Sequence, residues 1–287
     1  MTLRELIIYG QDLLKNSDIE AYESDTRVLA RFAFDLSYTD MFMMMSEDMP
    51  EDQIEFYKDC LNLRSTHMPC QYITGSQEFM GYEFITEDGV LIPRQETEIL
   101  VEKALELTSD IRECKALDMC TGSGCIGISY ELKRRESRYI NDIIHLADIS
   151  KDALAVAEKN KLKLNSDCKL IKTDLFDRIV DRYDIIMSNP PYIKTSDIDE
   201  IMEEVREYEP RLALDGDSDG LSYYRRIAEE AGKYLYKNGI LLLEIGYEQY
   251  KDVRELLLEN GFENVNVIKD YAGLDRVVIA YAAEHDY

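Results

Sequence analysis

No run of residues approaches the roughly 18 consecutive apolar positions that a membrane-spanning helix requires, and the N-terminus lacks the basic, then apolar, then small-residue order of a secretory signal. Both absences lead us to expect a cytoplasmic protein with no membrane partner. The six cysteines, Cys60, Cys70, Cys114, Cys120, Cys125 and Cys168, never form a repeated CxxC unit, which argues against a disulfide framework or a zinc ribbon. His67 with Cys60 and Cys70 lacks a fourth ligand, so no metal is expected. Basic residues are scarce as well: 33 against 58 acids, a formal net charge of −25 with no Lys/Arg-rich insertion. Such a chain repels a phosphate backbone at long range, and direct nucleic-acid binding is not expected.

What the chain does have is 45% hydrophobic content over 287 residues, enough for a full core. Leu3, Leu6, Ile7, Leu13 and Leu14 recur at helical spacing, as do Val28, Leu29, Phe32, Ala33 and Leu36, and nothing in residues 1–75 alternates like a strand. A small helical domain over 1–75 follows, with the methionine-rich run Met41 to Met45 serving as core or as adaptable binding surface. Residues 76–92 are expected to form a β-hairpin linker, Glu78 to Ile85 turning at Asp88-Gly89 into Val90 to Ile92. From 93 to 287, predicted helices and strands alternate, the signature of a parallel sheet covered on both faces. The last two strands, at 264–268 and 277–281, are joined by too short a turn for a crossover and should pair antiparallel. The acidic run Asp197 to Glu209 has the spacing of a solvated helical face.

Chemistry concentrates at predicted strand ends. Asp118-Met119-Cys120-Thr121-Gly122-Ser123-Gly124 lies between the first strand and its helix, where glycines let the backbone turn and approach a ligand. Gly122-x-Gly124-x-x-Gly127 spells the dinucleotide fingerprint, a weak signal by itself. Asp148 ends the second strand, placed to accept from ribose hydroxyls, and Asp174 follows the third; NAD and S-adenosylmethionine fit this much equally. After the fourth strand comes Asn189-Pro190-Pro191-Tyr192. Two prolines stiffen that loop, the Asn189 side-chain oxygen and the Pro190 carbonyl can each accept one N–H of a planar amide or amine, and Tyr192 can cover its flat face. None of His67, His145 and His285 ends a predicted strand, as the acid or base of a dehydrogenase would. The four strand-end elements together favour methyl transfer.

A set of further segments carries a resemblance over nearly the whole chain: Gln71 to Gly75, Val90 to Glu98, Thr121 to Ile126, Asp148 to Ser150, Asn189 to Ile193, Glu209 to Arg211, Leu243 to Gly246 and Asp270 to Arg276. In these the chain resembles the class I S-adenosylmethionine methyltransferases, and within them the N5-glutamine methyltransferases of peptide-chain release factors, the HemK or PrmC family. The resemblance implies an α/β Rossmann-like domain with a mostly parallel seven-stranded sheet and an antiparallel last strand, preceded by the small all-α domain and hairpin linker. It implies S-adenosylmethionine held by Arg94, Cys120, Thr121, Gly122, Ser123, Gly124, Asp148, Ile149, Asp174, Leu175 and Asn189. The implied substrate is the glutamine of the Gly-Gly-Gln loop of class 1 release factors, held by Asn189, Pro190, Pro191 and Tyr192. Two positions depart from the family pattern: Cys120 replaces a usual glycine and Gln95 a common proline. The Asn-Pro-Pro-Tyr element is shared with adenine and cytosine amino-methyltransferases, which remain an alternative, as do a glutamine of a ribosomal protein and a catalytically silent adaptor.

Overall fold

The structure is a computed structural model and describes residues 1–283, so His285 lies outside the described residues. Two compact units emerge, one built from Met1–Ser76 with Met202–Tyr208, the other from Gln77–Ile201 with the chain from Glu209 onward. Among the described residues no helix is long and apolar enough to cross a membrane.

The first unit is helical: α1 (Leu3–Lys15), α2 (Tyr22–Ala33), α3 (Tyr38–Met43), α4 (Glu51–Arg64) and α5 (Cys70–Thr74). A capping box starts α1, the Glu5 N–H donating to the Thr2 hydroxyl while the Thr2 N–H donates to the Glu5 carboxylate. Leu3, Leu6, Leu14, Leu29, Tyr57 and Leu61 close its core. The methionine run divides, with Met41 buried and Phe42 and Met43 about 70–80% exposed. Buried Arg64 donates to Asp25 at 2.7 Å and to Glu204 at 2.6 Å, which ties the sequence-distant segment 202–208 to these helices.

The second unit opens with a two-stranded ribbon, β1 (Ser76–Phe79) and β2 (Tyr82–Ile85). The hairpin thus turns at Met80-Gly81, with φ of 54° and 81°, and not at Asp88-Gly89; Val90 to Ile92 is no strand. A two-residue turn demands positive φ at both central positions, which Gly81 supplies freely and Met80 accepts under the pull of the flanking strands. Thereafter α6 (Glu98–Leu107), β3 (Lys115–Met119), α7 (Cys125–Glu136), β4 (Ile143–Asp148), α8 (Lys151–Lys163), β5 (Lys169–Lys172) and β6 (Tyr183–Ser188) alternate. Short helices α9 (Glu203–Tyr208, part of the helical unit) and α10 (Arg211–Leu214) precede α11 (Ser222–Ala231), β7 (Leu235–Glu244), α12 (Tyr250–Glu259), β8 (Phe262–Lys269) and β9 (Asp275–Ala282).

The seven strands order as β5-β4-β3-β6-β7-β9-β8; the first five run parallel and β9 pairs antiparallel with both β7 and β8. Successive strand residues point to opposite faces. Ile185, Met187 and Leu242 therefore join one core layer, while Ile186, Leu241 and Leu243 join the other. Because β4 and β6 flank β3 on opposite sides, the connections leaving β3 and β6 diverge and open a crevice at the carboxyl ends of the strands. Asp148, Asn189 and Glu244 all fall on that edge.

Candidate active site

The loop after β3 is fixed from below. Asp118, fully buried, accepts from the Thr121 hydroxyl and, at 2.9 Å, from the Gly127 N–H, so one carboxylate oxygen holds both the loop and the start of α7. A Cβ at Gly127 would lie 2.2 Å from the Leu146 side chain, so only glycine permits this packing of α7 on the sheet. Gly122 and Gly124 take left-handed backbone, φ 56° and 83°. Cys120 does the same at φ 60°, an unfavourable state for a residue with a Cβ. Cys120→Gly should accordingly raise stability by up to about 1 kcal/mol, the relief of that strain less the extra freedom of an unfolded glycine. A urea midpoint that falls or stays fixed would contradict the strain assigned to the position.

Burial pushes the Asp118 carboxyl up to about 7, opposed by its hydrogen bonds from Thr121 and Gly127. In the unfolded chain it titrates near its ordinary value of 3.8. Between those values the folded protein holds the extra proton, so this group makes stability fall as pH rises and its full penalty stands above pH 7. Relative to wild type, Asp118→Asn should gain stability from pH 4 to 8 by at most about 1.4 kcal/mol per unit, read from unfolding midpoints across pH. A pH-independent difference would show that Asp118 stays ionised.

On the next strand Asp148 accepts from the Gly122 N–H at 2.9 Å and from the Ser150 N–H at 2.8 Å, one bond per oxygen. Beyond β5, Asp174 is half-buried and accepts from Arg226 at 2.7 Å, and Leu175 adopts φ 44°. Arg94 pairs with the buried Glu209, whose other oxygen accepts from the Ile92 N–H at 3.2 Å. Glu209 therefore does not belong to a solvated face, and the acidic run is no single helix, being broken into a 3-10 turn at Thr195–Glu200 and α9.

The Asn189 to Tyr192 segment is braced from behind. Gln249 donates to the Tyr192 carbonyl at 3.0 Å and to the Gly220 carbonyl at 3.1 Å, while its own oxygen accepts from the Gly246 N–H. Gly216 and Gly220 lie so close that a Cβ on either would come within 2.5–2.9 Å of the Pro191–Tyr192 backbone. Asn189 Nδ2 reaches the Thr97 hydroxyl at 3.5 Å.

One cavity collects most of the sequence-derived residues: Arg94, Cys120, Thr121, Gly122, Ser123, Asp148, Ile149, Asp174, Leu175, Asn189 and Pro191 all line it. Gly124, Pro190 and Tyr192 do not. Gly124 caps α7 instead, Pro190 is buried, and the half-buried Tyr192 packs against the core layer that includes Ile245 and Tyr224. Several lining residues escaped the sequence reading as ligand contacts, Val90, Thr97, Ser150 and Tyr223 among them. Val90 and Thr97 were visible only as parts of recurring segments, and Tyr223 on α11 carries no local signal at all. A glycine-turned loop, a half-used carboxylate and a neighbouring apolar wall of Ile149, Leu175 and Tyr223 suit a nucleoside-bearing ligand such as S-adenosylmethionine.

Fold and site together define a class I methyltransferase. Residues 94–219 match the methyltransferase small domain, and residues 5–75 match the PrmC N-terminal domain. The hMettl16 catalytic domain, solved with an RNA hairpin, shares the fold with a TM-score of 0.56 at 15% identity, covering 82% of this chain and 83% of that one. In sequence, the release factor glutamine methyltransferase of Clostridium acetobutylicum is 37% identical over 98% of both chains. That of Streptococcus pneumoniae is 41% identical over 85% of this chain and 86% of its own length. The chain belongs to the release factor glutamine methyltransferase family.

Proposed function

We propose that this protein transfers a methyl group from S-adenosylmethionine to the side-chain amide nitrogen of a glutamine in class 1 release factors, the glutamine of their Gly-Gly-Gln loop, in the cytoplasm. The observation that carries the reading is the placement of Asn189 on the same cavity wall as Asp148 and the Gly122 loop, at the carboxyl edge of adjacent strands. When bound, S-adenosylmethionine supplies an electrophilic methyl on sulfur. Arg94, Cys120 to Ser123, Asp148, Ile149, Asp174 and Leu175 would hold it, with Gly124 shaping the loop.

An amide nitrogen is a poor nucleophile because its lone pair is delocalised into the carbonyl. The work of the chain is therefore orientation. Asn189 Oδ1 accepts one N–H of the glutamine, and the carbonyl of the adjoining Pro190, a residue that does not line the cavity, is the acceptor assigned to the other; the pair aims the nitrogen lone pair and stabilises the positive charge that develops there. Since that charge grows only during transfer, the acceptor pair acts more strongly on the transition state than on the bound substrate. Pro191 keeps the loop stiff, and Tyr192 supports it from the core side and helps exclude water. The proton leaves afterwards to solvent.

The helical domain over 1–75 and the linker over 76–92 are, in this reading, where the protein substrate docks, and residues 93–287 form the methyltransferase domain. Exposed Phe42 and Met43 offer the adaptable apolar surface. A methylation assay offering intact release factor, duplex DNA and a ribosomal protein tests the substrate. Labelled methyl should enter release factor only, at glutamine, and the joint replacement of Phe42 and Met43 by serine should raise KM for release factor several-fold, of the order expected for one or two lost apolar contacts, with cofactor affinity unchanged. Label entering DNA would favour the amino-methyltransferase alternative, and an unaltered KM would move the docking surface elsewhere.

A further inference from the structure

The loop after β5 has a firm backbone and one side chain whose hold comes from far along the chain. Thr173 fixes the backbone: its N–H donates to the Asp148 carbonyl at 2.9 Å, and its buried hydroxyl donates to the Leu175 carbonyl at 2.9 Å while accepting from the Arg178 N–H at 3.0 Å. The Asp174 carboxylate is held instead by Arg226, 52 residues on, whose Nη2 donates to Oδ1 at 2.7 Å. Arg226 belongs to α11, and the residue one turn before it on the same helix face, Tyr223, lines the cavity together with Asp174. That helix is anchored along its buried face and at its start. Tyr224, Ile227, Ala228 and Ala231 are buried, the Tyr224 hydroxyl donates to the Glu244 carbonyl at 2.8 Å, and Gln249 joins the Gly220 carbonyl just before the helix to the Tyr192 carbonyl.

We propose that Arg226 is a positioning residue for the cofactor, which makes α11 a recognition element of the cavity: Arg226 engages Oδ1 of Asp174 and leaves Oδ2 to accept from the exocyclic amine of the cofactor's adenine, while Tyr223 lies against the ligand. A carboxylate on an unrestrained side chain turns among its rotamers and accepts from water as readily as from a ligand. One engaged oxygen removes that choice. Folding gives little reason for the pair, since an ion pair whose side chains are 40% and 39% exposed contributes little to stability. Its use lies in the cavity that Asp174 and Tyr223 both line. Toward Asp174 the guanidinium employs a single N–H, so the contact asks for a positively charged donor and not for the planar fork.

The inference rests on the functional reading above and is tested apart from it, by equilibrium binding without turnover. The probes are S-adenosylhomocysteine and its 6-deamino analogue, which carries hydrogen in place of the amine. Wild type should prefer the amine by about tenfold or more, the worth of a hydrogen bond to a charged group. In Arg226→Met the preference should fall to within about threefold, because the freed carboxylate is satisfied by water. Arg226→Lys supplies one charged donor and should keep most of the preference. Thermal midpoints of both variants should stay near that of wild type, as expected for a solvated pair. Tyr223→Ala should weaken both probes alike, by roughly 2- to 10-fold, and leave their ratio intact. A wild type that binds the two probes equally, a methionine variant with the wild-type ratio, a lysine variant no better than the methionine one, or unchanged affinities in Tyr223→Ala each overturns the proposal. If wild type binds neither probe, the functional reading falls as well; if it binds S-adenosylhomocysteine and only the ratio fails to respond, this inference alone falls.

Discussion

Asn189→Ala is expected to lower kcat on intact release factor by about 10²–10³-fold, the size of effect seen when one preorganised electrostatic partner of a reacting centre is removed. The expectation follows from what the site lacks. Among the residues lining the cavity, the ionisable side chains are Arg94, Cys120, Cys125, Asp148, Asp174 and Tyr223. Burial pushes the Cys120, Cys125 and Tyr223 groups above their ordinary values, Asp148 is engaged with two backbone amides and Asp174 with Arg226, and Arg94 pairs with Glu209, so none is disposed to deprotonate a substrate amide. In the proposed reaction, rate must then come from placing the nitrogen, with Asn189 as one of two acceptors for it. Cofactor affinity should fall far less than turnover, because Asn189 is one residue of a wall on which the Gly122 loop, Asp148 and Asp174 would supply the other cofactor contacts. The measurement is steady-state kinetics with a cofactor-binding isotherm on the same preparation. Turnover within tenfold of wild type would remove the orientation mechanism, since Pro190 alone would then suffice.

Much of the architecture was legible because it rests on local pattern. Apolar runs bounded by Gly, Asp and Asn mark β3, β4, β5 and β6, and the short turn near Gly273 marks the antiparallel end of the sheet. The site was legible for a related reason: Gly122, Asp148, Asp174 and Asn189 all follow strands, and parallel topology brings strand ends together. What failed depended on partners far along the chain. Asp88-Gly89 spells a turn as well as Met80-Gly81 does, and only the pairing of β1 with β2 selects the second. Glu209 looked like one acid in a solvated run because its partner, Arg94, is 115 residues away. The burial of Glu244 was hidden likewise, since a glutamate ending an apolar strand is equally at home in water.

Asp148→Ala should raise the Kd for S-adenosylmethionine by about 100-fold or more while leaving kcat at saturating cofactor within roughly tenfold of wild type. A carboxylate offers about four lone-pair sites. Two are taken by the Gly122 and Ser150 N–H groups, one on each oxygen, which fixes the plane of the group and leaves one site per oxygen for the two hydroxyls of a ribose. Burial holds the Asp148 carboxyl above its ordinary value and the backbone amides oppose that shift, so further donors arriving with a ligand relieve a standing cost. Hydrogen bonds to a charged group contribute about 1.5–3 kcal/mol each, and two of them account for the predicted loss without counting the loop. The alanine variant also strips the Gly122 N–H of its acceptor, loosening the turn that must meet the cofactor, so Asp148→Asn, which keeps one acceptor oxygen, should fall between alanine and wild type. Calorimetric titration with S-adenosylhomocysteine reads the affinity without turnover. A Kd within about threefold of wild type for the alanine variant would mean that Asp148 serves the loop alone and that the ribose is read by some other group.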